Sequence, residues 1–228
     1  MVTKRFVIFT GPPQEGFILE TLPEICPDDF VVCADGGYTV CISLGIKPEA
    51  VIGDFDSLPG ELIREIDDLG IKRIIYPREK DDTDTMHCAK YGIARGFENF
   101  LIVGGIGGNF GHTMANMQVL SFLTDMECTA ELVAVSERVF MADGKTASAL
   151  RETEPSVPVI FAGRPGSKFS VLSYAERSSG VFIENARYRL TDAILTQSYP
   201  VGVSNEFIND DPVTVSVRYG RLIIIADR

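Results

Sequence analysis

Several motifs on which common enzyme sites depend are scarce or missing in this chain of 228 residues. Histidine occurs only twice, as His87 and His112, and no cysteine lies at zinc-finger spacing from either, which argues against a zinc site with paired histidine ligands. There is no G-x-S-x-G elbow, so a Ser-His-Asp hydrolase has no support in the sequence. There is also no G-x-x-x-x-G-K-S/T loop, which excludes a P-loop phosphate site.

The sequence also lacks long apolar runs, and its acidic residues outnumber its basic ones. The run Phe6–Phe9 is ended by Gly11, Pro12 and Pro13, too early for a signal-peptide core, and no stretch approaches the roughly 20 apolar residues of a membrane span. The net charge is −11 and would repel nucleic acid and anionic lipid, so neither nucleic acid nor membrane is expected as a partner. Five cysteines, an odd number without a C-x-x-C pair, indicate reduced thiols and a cytoplasmic protein.

The first part of the chain has the pattern of a parallel sheet covered by helices, because short β-branched runs alternate with segments of helical period. Strands are predicted at Phe6–Thr10, Phe30–Ala34, Ala50–Gly53, Arg73–Tyr76, Phe100–Val103 and Ala130–Val135. A helix is predicted after Ser57, which can act as its N-cap, with Pro59 near its first position and Gly70 at its end. Two more helices are predicted over Asp82–Gly96 and Thr113–Leu123.

After about Arg138 the pattern changes to short alternating runs broken by Gly, Pro and Ser, which is typical of antiparallel strands. These runs include Lys168–Ser173, Val181–Glu184, Val213–Arg218 and Leu222–Ala226. We therefore expect a fold of the α/β class with two domains, an N-terminal parallel-sheet (Rossmann-like) domain over residues 1–137 and an antiparallel β domain over residues 138–228.

Acidic residues are concentrated just after three of the predicted strands. The three segments are Ala34-Asp35-Gly36-Gly37, Gly53-Asp54-Phe55-Asp56-Ser57 and Lys80-Asp81-Asp82-Thr83-Asp84. In open α/β sheets the ligand crevice lies beyond the carboxyl ends of the strands, so the three segments are expected at one rim. Turn formation and helix capping explain any one of these segments as well as a ligand site does. They explain all three segments together less well.

The pair Asp54 and Asp56 predicts a metal site at this rim. In extended backbone both carboxylates would face one side, while Phe55 would point the other way into apolar packing. Two carboxylates so close repel each other unless a cation lies between them. Mg²⁺ suits the pair, because it prefers hard oxygen ligands and commonly bridges one or two carboxylates to substrate phosphates.

A glycine-rich run, Val103–His112, leads from a predicted strand into a helix, so its backbone N–H groups could approach an anion. It is not a dinucleotide fingerprint, because the G-x-G-x-x-G pattern that starts at Gly105 fails at Phe110. Nucleotide phosphates would therefore be handled mainly by metal and backbone, with Lys80 as the nearest obvious cationic helper.

Taken in order, the three acidic segments and the glycine-rich run into His112 resemble bacterial thiamine pyrophosphokinases. Later segments agree, since Ser198–Glu206 is similar to the family's S-x-x-x-G-x-S-N-E segment, and Phe169–Ser173 with Tyr188-Arg-Leu fits its β domain. The resemblance spans nearly the whole chain.

This resemblance implies a C-terminal β-sandwich that binds thiamine, and a homodimer with active sites in clefts between subunits. It also implies an ATP-dependent, Mg²⁺-dependent transferase that makes thiamine diphosphate and AMP. Asp54, Asp56 and Asp84 would be catalytic and would hold Mg²⁺ together with Asp35. The nucleotide would be bound by Asp35, Lys80, Asp82 and Thr83. Thiamine would be bound by His112, Asn116, Ser204 and Asn205.

The chain departs from the family at one motif, G-G-R-x-D-H, where Asn109 takes the place of the Arg and Gly111 that of the Asp. The family's Asp helps to recognise the thiamine ring, so one alternative is a pyrophosphokinase for another heterocyclic alcohol, such as a hydroxymethylpterin. Two further alternatives are a thiamine- or nucleotide-binding protein without turnover, and a purely structural domain with acidic loops.

Overall fold

The structure of the protein, a computed structural model, describes residues 4–11, 24–77, 81–144 and 157–228. The chain divides into two compact units, Met1–Val135 and Ser136–Arg228. The division lies close to the change of sequence pattern near Arg138.

The described residues of unit 1 form six parallel strands in the order β6-β5-β1-β2-β3-β4. They are β1 (Phe6–Thr10), β2 (Phe30–Ala34), β3 (Ala50–Gly53), β4 (Lys72–Ile75), β5 (Asn99–Gly104) and β6 (Thr129–Val133). The first three have the bounds that the sequence predicts. Their residues are buried almost without exception, as expected for parallel strands covered on both faces. An α/β unit with a parallel sheet is therefore confirmed.

In the part of unit 1 that the structure describes, four helices accompany the sheet. They are α1 (Gly37–Ser43), α2 (Gly60–Asp68), α3 (Asp84–Ile93) and α4 (Phe110–Asp125). The side chains of Thr83 and Asn109 cap α3 and α4, accepting hydrogen bonds from the backbone N–H groups of Met86 at 3.2 Å and Gly111 at 2.8 Å. These bonds satisfy N–H groups that have no partner within the helix.

The predicted capping role of Ser57 is wrong. Helix α2 begins at Gly60, with Pro59 at the N-cap position and no side-chain capping bond. The hydroxyl of Ser57 instead donates a hydrogen bond to the carboxylate of Asp35, which lies 22 residues earlier in the chain. Ser57 therefore bonds to a residue that is distant in sequence and not to the start of the helix that follows it.

Unit 2 is built from antiparallel strands in two sheets, ordered β12-β9-β14-β7 and β11-β10-β13-β8. The strands are β7 (Glu137–Asp143), β8 (Val159–Phe161), β9 (Lys168–Ser173), β10 (Arg177–Glu184), β11 (Leu190–Thr196), β12 (Asn205–Glu206), β13 (Val213–Ser216) and β14 (Arg221–Asp227). One buried cluster draws residues from both sheets, including Phe161 of β8 and Val171 of β9. The unit is therefore a β-sandwich, as the resemblance implied.

Among the residues that the structure describes, no helix has the length and apolar character needed to cross a membrane.

Candidate active site

Asp35 is held by backbone contacts at the carboxyl end of β2. Its N–H donates to the carbonyl of Ile52 at 2.9 Å, and its own carbonyl accepts from the N–H of Tyr38 in α1 at 3.0 Å. The backbone of Asp35 has a positive φ of 38°, a conformation uncommon outside glycine. The side chain is buried, with 7% of the residue exposed. These contacts fix the carboxylate at the sheet edge.

Asp54 and Asp56 follow β3 in a turn, so the prediction of extended backbone at this point is wrong. Phe55 has a φ of 63°, outside the extended region, and the N–H of Asp56 donates to Asp54 Oδ1 at 3.2 Å. A bulky residue in this region of backbone space is strained by roughly 1 to 3 kcal/mol. Burial of the Phe55 ring, which is only 8% exposed, stabilises the turn.

The carboxylates of Asp35, Asp54 and Asp56 converge, since one oxygen of each lies within 4.8 Å of the other two. Burial raises the pKa of the Asp35 carboxyl, and the negative charges of Asp84, Asp54 and Asp56 raise it further, while the Ser57 hydrogen bond lowers it. Asp35 Oδ1 is buried and has no hydrogen-bond partner within the described part of the chain. This donor set fits a hard divalent cation, which prefers carboxylate oxygens and offsets their mutual repulsion.

Asp84, the first residue of α3, reaches the same place from another element. A Cβ atom built on Gly53 would lie 3.3 Å from Asp84 Oδ1 and 2.8 Å from Asp35 Cβ. Glycine at position 53 therefore lets the two aspartates approach the end of β3. The structure therefore brings together Asp35, Asp54 and Asp56, and it places the fourth predicted ligand, Asp84, next to Asp35 across Gly53.

Two of the other predicted nucleotide-binding residues, Asp82 and Thr83, lie at the start of α3. Thr83 Oγ1 is occupied as the N-cap, and the carboxylate of Asp82 pairs with Lys90 Nζ at 2.5 Å on the protein surface. Lys80 lies outside the described residues.

The glycine-rich segment between β5 and α4 is closely packed at its first two glycines. A Cβ atom on Gly104 would lie 2.3 Å from the carbonyl oxygen of Thr10, and one on Gly105 would lie 2.5 Å from Asn116 Nδ2. Both glycines have positive φ, near 93° and 80°. Asn116 is buried and donates from Nδ2 to the carbonyl of Gly105 at 2.9 Å. Asn116 therefore holds this segment in shape.

Two N–H groups at the start of α4 already have partners among the nearby side chains. The N–H of Gly107 donates to Thr113 Oγ1 at 3.2 Å, and that of Gly111 donates to Asn109 Oδ1 at 2.8 Å. His112, predicted to contact thiamine, is exposed at this helix start.

Ser204 and Asn205 lie in unit 2, at the start of β12. Ser204 is exposed and has a φ of 60°. The buried Asn205 side chain accepts from the N–H of Tyr188 at 3.0 Å and donates to its carbonyl at 2.8 Å. Asn205 thus fixes the backbone of Tyr188, a residue that is 60% exposed.

Two features of the acidic edge, the sheet edge that carries Asp35, Asp54, Asp56 and Asp84, are not predicted from the sequence. The sequence predicts a helix cap at Ser57, although its position next to the Asp54 and Asp56 pair is a signal of a site role. The ring of Tyr76 stacks on the imidazole of His87, with centroids 3.8 Å apart and planes inclined by 13°. No local pattern pairs these two residues, because they meet only through the fold.

Comparison with protein families gives two matches in chain order. Residues 25–132 match the model described as "Thiamin pyrophosphokinase, catalytic domain", and residues 161–222 match "Thiamin pyrophosphokinase, vitamin B1 binding domain". The first match contains Asp84 and the three converging aspartates, and the second contains Ser204 and Asn205.

Individual relatives give the same picture. Thiamine pyrophosphokinase 1 of Oryza sativa subsp. japonica is 30% identical over 111 residues, which cover 39% of this chain and 42% of that protein, less than half of its length. The crystal structure of thiamine pyrophosphokinase from Bacillus subtilis has a TM-score of 0.82 at 22% identity, over 98% of this chain and 99% of that one. The solved structure of thiamin pyrophosphokinase from Candida albicans has a TM-score of 0.77 at 13% identity, over 99% of this chain and 89% of that one. These two likenesses establish the fold.

Proposed function

Since the chain belongs to the thiamin pyrophosphokinase family, we propose that it transfers the terminal pyrophosphoryl group of ATP to the hydroxyl of thiamine, giving thiamine diphosphate and AMP. The observation that carries this proposal is the convergence of Asp35, Asp54 and Asp56 at the carboxyl edge of a parallel sheet, within the segment that matches the catalytic-domain model. Such an edge is where open α/β sheets bind ligands.

The proposed cofactor is Mg²⁺, held by Asp35, Asp54, Asp56 and Asp84. When bound, it would supply charge neutralisation for the nucleotide phosphates at an edge that is otherwise strongly negative. The buried Asp35 carboxylate would anchor the site, since its contacts leave it little freedom. Ser57, through its hydrogen bond to Asp35, would keep this carboxylate oriented and favour its ionised form.

The thiamine hydroxyl oxygen would form a bond to the β-phosphorus of ATP, and the bond from that phosphorus to the oxygen bridging to the α-phosphorus would break. AMP would leave with the bridging oxygen. Such transfer depends mainly on positioning and charge neutralisation, so carboxylates suffice without a covalent nucleophile. Thr83 and Asp82, together with Lys80, are proposed to position the nucleotide next to Asp84.

His112, Asn116, Ser204 and Asn205 are proposed to serve the acceptor. Among them, Asn116 and Asn205 would act through the backbone segments that their side chains hold, the glycine-rich segment and Tyr188 respectively. His112 and Ser204 are exposed and would face the acceptor directly.

We also propose that the chain works as a homodimer. Unit 2 exposes several large apolar side chains, which a partner subunit would cover. They are Tyr188, Ile194, Tyr199, Val201 and Val203. Sedimentation equilibrium would test this, and a monomer at micromolar concentration would contradict it.

The activity is tested by incubating the protein with thiamine, ATP and Mg²⁺ and identifying the products by mass. Thiamine diphosphate and AMP are expected in equal amounts, and EDTA should abolish their formation. ADP as the main nucleotide product would contradict pyrophosphoryl transfer. The matched controls are Asp54→Asn and Asp56→Asn, which keep side-chain size, remove one charge each and should lower turnover in a folded protein.

A second candidate, pyrophosphoryl transfer to another heterocyclic alcohol, is favoured by one observation. The first turn of α4 carries no acidic side chain, and the N–H of Gly111 already donates to Asn109. An acceptor that needs no carboxylate partner there would suit this arrangement. Parallel assays with thiamine and a hydroxymethylpterin would decide, since the true acceptor should give the larger kcat/KM.

A further inference from the structure

Tyr76 and His87 form a tight aromatic contact beside the acidic edge, and this contact is not part of the proposed chemistry. Tyr76 directly follows β4, and its N–H donates to the carbonyl of Gly53 at 3.0 Å. Its ring stacks nearly parallel on the imidazole of His87, at a centroid distance of 3.8 Å. The stack thus joins the ends of β3 and β4 to helix α3.

His87 lies in the same helical turn as Asp84. Its N–H donates to the carbonyl of Thr83 at 3.0 Å, which closes the first turn of α3, and the Thr83 hydroxyl caps this turn. Asp84 begins the turn and places Oδ1 against Gly53. The first turn of α3 is therefore linked to Gly53 in two ways. The Asp84 carboxylate lies next to Gly53, and His87 stacks on Tyr76, whose N–H donates to the Gly53 carbonyl.

The need for such a contact follows from the charges at this edge. Asp84 and Asp35 lie on either side of Gly53, so that a Cβ atom there would touch both, and their carboxylates repel one another whenever no cation neutralises them. Repulsion tends to move the first turn of α3 away from β3. The stack of Tyr76 on His87 opposes this movement, because it packs the same turn against the residue that follows β4.

We propose that Tyr76 and His87 are a positioning pair, which holds Asp84 against the end of β3 and so keeps the four aspartates in place for a divalent cation. The inference rests on the proposed function for the role of the cation, but it concerns the geometry of the site rather than the acceptor or the reaction. Neither residue contacts substrate in this scheme. Both act through the turn that carries Asp84.

The test uses electron paramagnetic resonance to measure Mn²⁺ binding to the full-length protein without nucleotide. The wild type is compared with His87→Ala. Loss of a group that orients metal ligands typically lowers metal affinity by tenfold or more, so an increase of roughly tenfold in the Mn²⁺ Kd is expected. His87→Phe keeps a flat ring and should restore most of the affinity. The Mg²⁺ concentration for half-maximal turnover should shift in parallel.

Tyr91→Ala is the matched control, because it removes a ring from the same helix, two turns from the helix start, where Arg95 stacks over it at 3.4 Å. It should lower the melting temperature without changing the Mn²⁺ Kd. If His87→Ala does not fold, Tyr76→Leu removes the stack from the strand side and is measured in its place.

An unchanged Mn²⁺ Kd in the stack variant would overturn the proposal, and so would an equal loss in Tyr91→Ala. A wild type that does not bind Mn²⁺ would also overturn it, because there would be no cation site to position. A wild type that binds Mn²⁺ but makes no thiamine diphosphate would instead contradict the proposed function alone, and the comparison of Kd values would still decide the role of the pair.

Discussion

Asp35 is a buried carboxylate next to other carboxylates, so its ionisation opposes folding in the absence of a cation. Burial raises its pKa above the ordinary value of 3.8, and the charges of Asp84, Asp54 and Asp56 act in the same direction. A carboxyl whose pKa is higher in the folded state favours folding when it is protonated. This contribution is fully present below the unfolded-state pKa and is lost as the pH rises through the folded-state pKa.

Replacing Asp35 by Asn should remove this pH dependence. In EDTA, the free energy of unfolding of the wild type is expected to fall relative to that of Asp35→Asn as the pH rises from about 4 towards neutrality. Urea unfolding of both proteins across this range measures the difference. Ser57→Ala should extend the fall to higher pH, because the Ser57 hydrogen bond lowers the pKa of Asp35. A difference that stays constant with pH would contradict the assignment.

Gly111 stands where the family motif has an Asp, and its backbone can accept that side chain. Its φ is not positive, and a new Cβ atom would lie 3.1 Å from Asn109 Oδ1, the end of a side chain that can shift. If thiamine is the acceptor, Gly111→Asp should lower the thiamine KM by about tenfold to hundredfold, the value of one charge-assisted hydrogen bond. Steady-state kinetics measures this.

The control for Gly111→Asp is the KM for Mg-ATP, which should barely move. An unchanged thiamine KM in a folded variant would mean that another group already replaces the missing carboxylate. If the wild type turns over another alcohol faster than thiamine and the substitution harms that reaction, the second candidate function is the better one.

At the scale of elements, helix α1 depends on a close backbone approach that only glycine permits. A Cβ atom on Gly37 would lie 2.2 Å from the carbonyl oxygen of Phe9 in β1. Gly37→Ala should therefore force β1 and α1 apart and lower the free energy of unfolding by about 3 kcal/mol or more. Urea unfolding measures the loss.

Gly60→Ala is the matched substitution, because position 60 begins α2 and a Cβ atom there would have no neighbour within 4 Å. Its stability should be unchanged or higher by up to about 1 kcal/mol. Equal effects of the two substitutions would show that the close approach at Gly37 does not limit packing.

The elements also differ in how far sequence predicts them. Strands β1, β2 and β3 were predicted with correct bounds, because strands buried on both faces appear as continuous apolar runs. Helix α1 was not predicted, because its seven residues begin with glycine and include β-branched side chains that favour helices poorly, so it depends on packing against β1 and β2.

The candidate site was predictable in its residue types but not in its geometry. Carboxylates at successive strand ends are visible in the sequence, because strand ends in a parallel sheet share one edge. The turn at Phe55, the bond from Ser57 to Asp35 and the stack of Tyr76 on His87 were not visible. Each depends on strained backbone or on partners that are distant in sequence.

At the scale of the whole molecule, the net charge of −11 means that any added salt screens repulsion and tends to stabilise the protein. A stabilising effect of Mg²⁺ is therefore not by itself evidence of a site. A specific site differs from screening in two respects, because it favours the divalent ion at equal ionic strength and depends on particular carboxylates. Both differences are measurable in one experiment.

We expect Mg²⁺ at about ten times its Kd to stabilise the folded wild type by about 1.4 kcal/mol, which corresponds to an increase of about 3 to 6 °C in the melting temperature of a chain of this size. NaCl at matched ionic strength should give a smaller increase. Asp54→Asn should keep the NaCl response and lose most of the additional Mg²⁺ response, because only the second depends on the converging carboxylates. Without cations, the same variant should melt at the same temperature as the wild type or slightly higher, since one repelling charge is gone. Equal responses to Mg²⁺ in the two proteins would place the cation elsewhere on the acidic surface, and the aspartate edge would then lose its role as the metal site.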